Sequence, residues 1–390
     1  MKESILYKLN NFIIVLIFGI AIFTPFLTGI VEKDKTVAEI EKRKLSQLPA
    51  KPETAEDIKK FPQSFDDYYS DHFGLRNWFG KYYKLAKYSI GDSPSKDVTI
   101  GKNGWLFLGS IKIGYNGYGD PIDDARNVNL YSQDELKRCA KYMACLNNWL
   151  NEKGVKYIFV IAPSKHTIYF NQLPDYIFKI NDRSATDQLI EYLKKHTDVV
   201  VVDLRGLLMK EKNKHQIYYK TDTHWNHYAA NIVQYEIMTE IEKLFPNQIQ
   251  PDLKRLRDGK RTGGDLANII GGHNIFKEFK DGNPQPVFEH TCTPTRQPLD
   301  AKARTTHTLI CEDQELNAVI FRDSFFTALQ PYFSRKFKRS TYIWEKSNYA
   351  LLKEYIESEQ PDIVIEEWVE RVLPYVPKDI VEFKSSGTVF

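Results

Sequence analysis

The sequence of 390 residues predicts an α/β fold with a mostly parallel sheet. Short apolar runs rich in Val and Ile alternate with longer segments whose apolar residues recur at helical spacing. This alternation is typical of a parallel sheet that is covered by helices on both faces. The predicted strands are 155–162, 199–204, 317–321, 338–344 and 362–366, with a further strand candidate at 216–219, and the predicted helices are 132–152, 182–196, 227–244 and 349–357. Ligands bind to such sheets beyond the carboxyl ends of the strands.

Local signals support several of these elements. Ser132 and Glu135 form a capping box, which predicts the start of the first helix of the α/β region. Upstream, residues 61–79 have apolar positions at helical spacing, and Gly74 indicates a break between two helices. Residues 101–108 predict a turn followed by a strand. The α/β region therefore follows a helical N-terminal part.

Residues 250–300 form a long glycine-rich insertion ahead of the strand at 317–321, with basic residues at 254–257. The insertion lacks the G-x-G-x-x-G and G-K-[ST] patterns that bind nucleotide phosphates. Long ordered loops within a domain are commonly functional. We therefore expect this insertion to line the active site.

The N-terminal segment predicts where the protein is located. Residues 12–31 carry no charge and match the about 20 residues that span a bilayer. Lys2 and Lys8 precede this segment, so the positive-inside rule places the rest of the chain outside the cytoplasm. A cleaved signal peptide is the alternative, but no A-x-A-like site follows Val31. We predict a single-pass cell-membrane anchor (1–31), a juxtamembrane linker (32–60) and a periplasmic or extracellular catalytic domain (61–390).

The composition excludes some partners. The 54 Lys and Arg residues against 51 Asp and Glu give a net charge of +3 without a long basic run, so we expect no nucleic-acid partner. The cysteines lack zinc-type spacing, and we predict no metal and no cofactor. A disulfide is permitted outside the membrane, and Cys292 with Cys311 is the favoured pair. Cys139 and Cys145 fit small buried residues at least as well.

The stretch Thr221-Asp222-Thr223-His224-Trp225-Asn226 carries the clearest chemistry. Residues two apart diverge on a helix but project to the same side of an extended segment, so Asp222 can reach the ring of His224 there. An acid that orients a histidine is two thirds of a nucleophilic triad. Asp71-His72 is a second such pair, but adjacent residues diverge on a helix, and we interpret it as structural.

Ser324 is the candidate nucleophile. It follows the strand at 317–321 and opens a helix-like segment, which is where exposed nucleophiles commonly lie. We expect Ser324 to attack an acyl carbonyl, His224 to act as the base and Asp222 to hold the ring. The resulting oxyanion needs N–H donors. The candidates are the backbone N–H of Ser324 and donors from a facing loop, namely Gly263, Gly264 and Asn268.

Residues 221–226, followed by Ala229-Ala230, resemble the signature of the alginate O-acetyltransferase family, the SGNH-hydrolase-like proteins of the DHHW group. Further similarities occur in the family's order at 71–76, 101–108, 162–165, 264–266 and 323–325. The resemblance covers most of the chain from about residue 60 onward. It implies an SGNH-hydrolase-like three-layer sandwich and maps the triad onto Ser324, His224 and Asp222.

Proteins of this family are anchored or periplasmic and acetylate exported polysaccharide. The resemblance therefore implies an O-acetyltransferase that modifies hydroxyls of an exported or cell-surface polysaccharide through an acetyl-serine intermediate. Acetyl-CoA is not the donor outside the cell, and no CoA-binding feature is visible in the sequence. The resemblance thus also implies a membrane-bound O-acyltransferase partner as the acetyl donor.

Two features depart from the family pattern. Arg322 stands where the family has a glycine before Asp323-Ser324, which removes a flexible residue from the nucleophile turn. The acid and the histidine also precede the serine, whereas the serine comes first in ordinary SGNH esterases. This circularly permuted order is compatible with the chemistry, because triads are defined by geometry rather than by order.

Two other functions fit the same residues. A polysaccharide acetyl esterase would share the triad and the acyl-enzyme, with water instead of a sugar as the acceptor. A non-catalytic polysaccharide-binding or assembly protein is favoured by Arg322 at the nucleophile turn. The aromatic content of 13% suits a sugar-stacking surface and a packed core alike.

Overall fold

The structure is a computed structural model, and it describes residues 2–31, 34–38, 43–110, 119–278, 283–289, 292–297 and 306–373. The chain divides into two units. The first is Met1–Pro94 with Asn268–Gly272, and the second is Ser95–Ala267 with His273–Phe390. Residues 61–94, at the start of the predicted catalytic domain, belong to the first unit.

The first unit is mainly helical. Its first helix contains a 23-residue apolar segment, Tyr7–Gly29, which is long enough to cross a membrane. An N-terminal segment of this kind suits either an anchor or a signal sequence. The elements of this unit are α1 (Lys2–Val31), β1 (Val37–Ala38), β2 (Arg43–Lys44), α2 (Ala55–His72) and α3 (Arg76–Ser89).

Helices α2 and α3 are the two helices predicted on either side of Gly74. A Cβ atom at Gly74 would overlap the carbonyl oxygen of Pro25 in α1, so this turn requires glycine. Helix α2 begins before the predicted residue 61, because Thr54 and Asp57 form a reciprocal capping box. The non-helical part of the predicted linker is correspondingly shorter.

The second unit contains the main sheet. Its strands are β3 (Val98–Ile100), β4 (Leu106–Leu108), β5 (Lys156–Ala162), β6 (Val200–Asp203), β7 (Leu256–Arg257), β8 (Arg261–Thr262), β9 (Lys277–Glu278), β10 (Gln285–Pro286), β11 (Thr295–Arg296), β12 (His307–Ile310), β13 (Asn317–Phe321), β14 (Arg339–Ile343) and β15 (Ile363–Val369). The helices that follow residue 95 are α4 (Pro121–Ala125), α5 (Gln133–Glu152), α6 (Lys165–Ile168), α7 (Ala185–His196), α8 (Arg205–Glu211), α9 (His227–Leu244), α10 (Asp265–Ile269), α11 (Gln330–Phe333) and α12 (Tyr349–Glu359).

The main sheet has the strand order β11-β12-β14-β13-β15-β5-β6. The run from β14 to β6 is parallel, and β12 and β11 extend it with antiparallel pairing. The strands and helices predicted for the α/β region are present, with ends that differ by a few residues at most, except for the strand candidate at 216–219. There only Tyr218 pairs, in an isolated bridge with Trp225, so that prediction was wrong. The predicted α/β fold with a mostly parallel sheet is confirmed.

Helices cover both faces of this sheet. Along β5, Ile158 and Val160 join an apolar core that includes residues of α8 and α9. The alternate residues Tyr157 and Phe159 join a second core with residues of α5, α7 and α12. The period of two along the strand thus produces a three-layer arrangement with a buried core on each face.

The four cysteines fall into two classes. Cys292 and Cys311, the favoured pair, are joined by a disulfide with their Cα atoms 5.9 Å apart. Cys139 in α5 is buried, Cys145 is half-buried, and both are free thiols. Burial raises the pKa of the Cys139 thiol to about 12, so this thiol is not a nucleophile at neutral pH.

Candidate active site

Residues 219–224 form a turn that is closed by an antiparallel bridge between Tyr218 and Trp225. Helix α9 begins two residues after this bridge, at His227. The Asn226 side chain caps α9 by accepting hydrogen bonds from two backbone N–H groups of its first turn. The backbone that carries Asp222 is therefore non-helical, as the two-residue spacing of the acid and the histidine required.

The structure brings Asp222, His224 and Ser324 into one hydrogen-bonded chain. Oδ1 of Asp222 lies 2.7 Å from Nδ1 of His224, and Nε2 of His224 lies 2.7 Å from Oγ of Ser324. The same Asp222 oxygen accepts a hydrogen bond from the backbone N–H of His224 at 3.1 Å. A carboxylate that holds Nδ1–H leaves Nε2 free to accept the serine proton.

Asp222 is a buried carboxylate with an exposed side-chain fraction of only 4%. Arg261 donates to its Oδ2 at 2.6 Å, and the backbone N–H of Asp265 lies 3.3 Å from the same oxygen. Burial alone would raise the pKa of Asp222, but the hydrogen bond from His224 and the charges of that ring and of Arg261 hold the pKa well below its usual range. Asp222 is therefore an anion at neutral pH.

This environment predicts a loss of stability in acid. The folded state binds the Asp222 proton more weakly than the unfolded chain, so the carboxylate stabilises the fold above about pH 4 and loses this contribution as the pH falls. The free energy of unfolding of the full chain, measured by denaturant titration between pH 3 and 6, should decline less steeply for Asp222→Asn. Identical slopes for the two proteins would contradict the assignment.

Asp265 is a second carboxylate beside the ring. Its Oδ2 lies 3.8 Å from Nδ1 of His224, and its carboxylate accepts hydrogen bonds from the backbone N–H and the hydroxyl of Thr223. Asp222, His224 and Asp265 offer ligand atoms within 4.8 Å of one another. The oxygens of Asp222 already accept from His224 and Arg261, so these residues form a hydrogen-bond network rather than a cage for a cation.

Lys165 supports the acid segment from the interior. It is 2% exposed, and its Nζ donates to the carbonyl oxygens of Leu106, Lys220 and Asp222 at 2.5, 2.9 and 3.0 Å. The three acceptors match the three donors of an ammonium group. Lys165 thereby fixes the backbone on both sides of Thr221.

Of the four predicted oxyanion donors, Ser324 lies at the cavity, and the glycines and the asparagine of the facing loop have other surroundings. Ser324 lines the cavity described below. The N–H of Gly264 donates to Oγ1 of Thr221 at 3.1 Å, and a Cβ atom at Gly264 would overlap the side chain of Asp222. Glycine at this position therefore makes room for the carboxylate. Asn268 lies near the end of α10, in the short segment that belongs to the first unit, and Gly263 N–H donates to the His273 carbonyl at 2.8 Å.

Asp323 anchors the turn that carries Ser324. Its carboxylate accepts hydrogen bonds from the backbone N–H groups of Phe325 and of Val369 in β15, both at 2.8 Å. Ser324 follows the end of β13 and precedes the 3-10 turn Phe325–Ala328. The serine thus lies at the predicted junction between a strand and a helical turn.

A cavity of about 630 Å³ adjoins Ser324 and His224. This volume is within the range of sites that bind small molecules or short polymer segments. Its walls include Trp344 and, from the glycine-rich insertion, residues 259–261, 283 and 285. The insertion therefore lines the site, as the sequence predicted.

A family model for the SGNH hydrolase-like domain of acetyltransferase AlgX matches residues 98–370. The chain belongs to this family. The resemblance predicted from the motif at 221–226 is thereby confirmed. The SGNH-like fold of the family also agrees with the mostly parallel sheet seen here.

The relatives of this chain include proteins named probable alginate O-acetylase AlgJ. The probable alginate O-acetylase AlgJ of Pseudomonas aeruginosa is 22% identical over 234 residues, which are 56% of this chain and 53% of that protein. AlgJ of Pseudomonas putida is 20% identical over 360 residues, or 84% of this chain and 85% of that protein. The chain thus spans about half the length of the first relative. Bacillus cereus PatB1 is similar over 72% of this chain and 98% of its own, with 16% identity and a TM-score of 0.49.

Several residues around Asp222 were not predicted from the sequence. Lys165 and Asp265 belong to the motifs at 162–165 and 264–266, so the family resemblance was the available signal for them. Arg261 lies in the insertion that was predicted to line the site, but no local pattern distinguishes it. Its ion pair with Asp222 joins residues 39 positions apart.

Proposed function

We propose that this protein is an O-acetyltransferase that acetylates hydroxyl groups of an exported or cell-surface polysaccharide through an acetyl-serine at Ser324. The observation that carries the proposal is the hydrogen-bonded chain from Asp222 through His224 to Ser324 beside a cavity. Membership of the acetyltransferase AlgX family supports acetyl as the transferred group. The relatives named alginate O-acetylase support a polysaccharide as the acceptor.

In the first half-reaction, Ser324 Oγ attacks the carbonyl carbon of an acetyl donor. Nε2 of His224 takes the hydroxyl proton as the new bond forms, and Asp222 stabilises the imidazolium. The tetrahedral intermediate then collapses, and the donor leaves with the proton that His224 returns to it. The products are acetyl-Ser324 and the deacylated donor.

In the second half-reaction, a sugar hydroxyl attacks acetyl-Ser324. His224 removes the proton of this hydroxyl and then returns it to Ser324 Oγ as the ester bond to the enzyme breaks. The acetylated sugar leaves, and the free serine is restored. The backbone N–H of Ser324, which lies at the start of a helical turn beside the cavity, is the proposed oxyanion donor in both halves.

The proposal includes a location and a donor. Residues 1–31 would anchor the protein in the cell membrane, the linker (32–60) would follow, and the domain from residue 61 would lie outside the cytoplasm. The apolar helix segment Tyr7–Gly29 supports the anchor. A membrane-bound O-acyltransferase would pass the acetyl group to Ser324, because acetyl-CoA is absent from that compartment.

An acetyl-transfer assay tests this function. The full chain in detergent is given p-nitrophenyl acetate together with oligosaccharides from alginate, chitin or cellulose, and acetylated sugar is measured by mass spectrometry. We expect acetyl-sugar from at least one acceptor. If acetate is the sole product with every acceptor, the esterase alternative is favoured. The two functions share the acetyl-serine intermediate and differ in whether a sugar hydroxyl or water attacks it.

Lys165→Met should impair this reaction through the backbone of the acid segment. Methionine preserves the length and apolar contacts but leaves three carbonyl groups without their donor, which we expect to cost about 1–3 kcal/mol of unfolding free energy. Displacement of Asp222 and His224 by even about 1 Å should lower kcat roughly 100-fold. Both quantities are read from denaturant titration and from p-nitrophenyl acetate cleavage.

Lys220→Met is the matched control, because Lys220 is only half-buried and its Nζ donates only to the Asn103 carbonyl oxygen among the hydrogen bonds of the described residues. It should shift the free energy of unfolding by less than about 0.5 kcal/mol. Wild-type stability and kcat in Lys165→Met would show that the three hydrogen bonds do not position the acid.

A further inference from the structure

Arg322, at the position of the family's glycine, is buried and stacks on a tryptophan beside Ser324. Arg322 is 5% exposed, and its guanidinium carbon lies 4.1 Å from the centroid of the Trp344 ring. A guanidinium is attracted to an indole face by the electrons of the ring. Arg322 therefore occupies one face of Trp344.

The arginine is itself held by the nucleophile turn. Its Nη1 donates to the carbonyl oxygen of Asp323 at 3.0 Å and to the hydroxyl of Thr327 at 2.8 Å. Its backbone N–H donates to the Ile343 carbonyl at 2.9 Å and continues the parallel pairing of β13 with β14. Arg322 and Trp344 thus leave two neighbouring strands at the same level, and the stack is fixed relative to the turn that carries Ser324.

Trp344 is open to the cavity. It is 45% exposed and lines the same cavity as Ser324 and His224. Because Arg322 covers one face of the ring, the exposed surface belongs to the other face and the edge. Burial of a large aromatic ring lowers the free energy of the system. An indole that is held rigidly in the wall of this cavity therefore favours a ligand with an apolar face.

We propose that Trp344 is a stacking platform for a sugar ring of the acceptor, and that Arg322 is the positioning residue that holds the indole in place. This inference rests on the proposed function of the site. The C–H face of a pyranose ring packs on an indole and removes apolar surface from water, while the ring hydroxyls keep polar partners at its rim. Stacking beside Ser324 would present the hydroxyls of the bound segment to the acetyl-serine.

The replacement of glycine by arginine then has a function in binding. The turn does not need glycine at position 322, because Arg322 is not among the described residues with a positive φ, and the Asp323 carboxylate holds the turn through its two backbone hydrogen bonds. Arg322 contacts the ring of Trp344 without lining the cavity itself, because Trp344 and Thr327 form the cavity wall there.

A binding experiment separates this inference from the chemistry. The full chain with Ser324→Ala is titrated calorimetrically with hexasaccharides from alginate, chitin and cellulose, so that no acetyl transfer is required. We expect at least one to bind, and Trp344→Ala in the same background to raise its Kd about tenfold, the effect of one aromatic contact. Trp344→Phe should retain most of the affinity. Arg322→Gly should raise Kd roughly threefold, because the ring remains but is no longer held in place.

Trp78→Ala is the matched control, because Trp78 lies in α3 of the first unit with a similar exposed fraction of 52%. It should leave Kd unchanged. Equal affinity of Trp344→Ala and its parent, or no binding of any of the three sugars, would overturn the platform. A wild-type rate of p-nitrophenyl acetate cleavage in Ser324→Ala would instead refute the proposed function and leave the binding result standing.

Discussion

Ser324→Ala is expected to reduce acetyl-ester cleavage and acetyl transfer to the uncatalysed level, a loss on the order of 10⁶-fold where the assay can follow it. The substitution removes the atom that would carry the acetyl group and leaves Nε2 of His224 without the partner at 2.7 Å. The fold should be retained, because one small side chain at the edge of a cavity is shortened. The measurements are p-nitrophenol release and mass spectrometry of the peptide that contains Ser324, which should carry an acetyl group in the wild type alone.

Ser89→Ala is a control with the same change at an exposed position of α3, and it should have full activity. Substantial ester cleavage by Ser324→Ala would identify a different nucleophile. In cells, unchanged polymer acetylation with Ser324→Ala and with His224→Ala would favour the non-catalytic assembly function.

Asp222→Asn should lower kcat by about 10⁴-fold. The amide has the same shape, but it no longer provides the negative charge that stabilises the imidazolium and selects the Nδ1–H form of His224. It also leaves the Arg261 guanidinium, 2.6 Å away, without its charged partner. The effect is measured as kcat for p-nitrophenyl acetate under saturating conditions.

Asp265→Asn provides the comparison. The carboxylate of Asp265 lies 3.8 Å from Nδ1 of His224, whereas that of Asp222 lies 2.7 Å away. The Asp265 carboxylate instead accepts a hydrogen bond from the Thr223 hydroxyl. Its substitution should therefore cost far less than that of Asp222. A larger loss in Asp265→Asn than in Asp222→Asn would reverse the assignment of the acid.

Local patterns predicted most of the α/β unit because its elements carry their own end signals. Helix α9 begins at His227 directly after the Asn226 cap, and α5 begins after the capping box of Ser132. The start of α2 was missed because its capping box lies in a charged segment that resembles a linker. Strand β11 was missed because it is two residues long and depends on pairing with β12.

The sequence by itself determined that Asp222 could pair with His224, because a carboxylate and a ring two residues apart can meet where the backbone is extended but not on a helix. It also determined that Ser324 follows a strand of a parallel sheet. The tertiary structure decided which groups surround this pair: the Lys165 ammonium, the Arg261 guanidinium and the space that Gly264 leaves. It also placed the guanidinium of Arg322, which stands where the family has a glycine, against the ring of Trp344. The contacts of Lys165 and Arg261 with the Asp222 segment, and of Arg322 with Trp344, join segments that are far apart in the chain. Their distances therefore depend on how the strands and helices pack together and not on any local spacing.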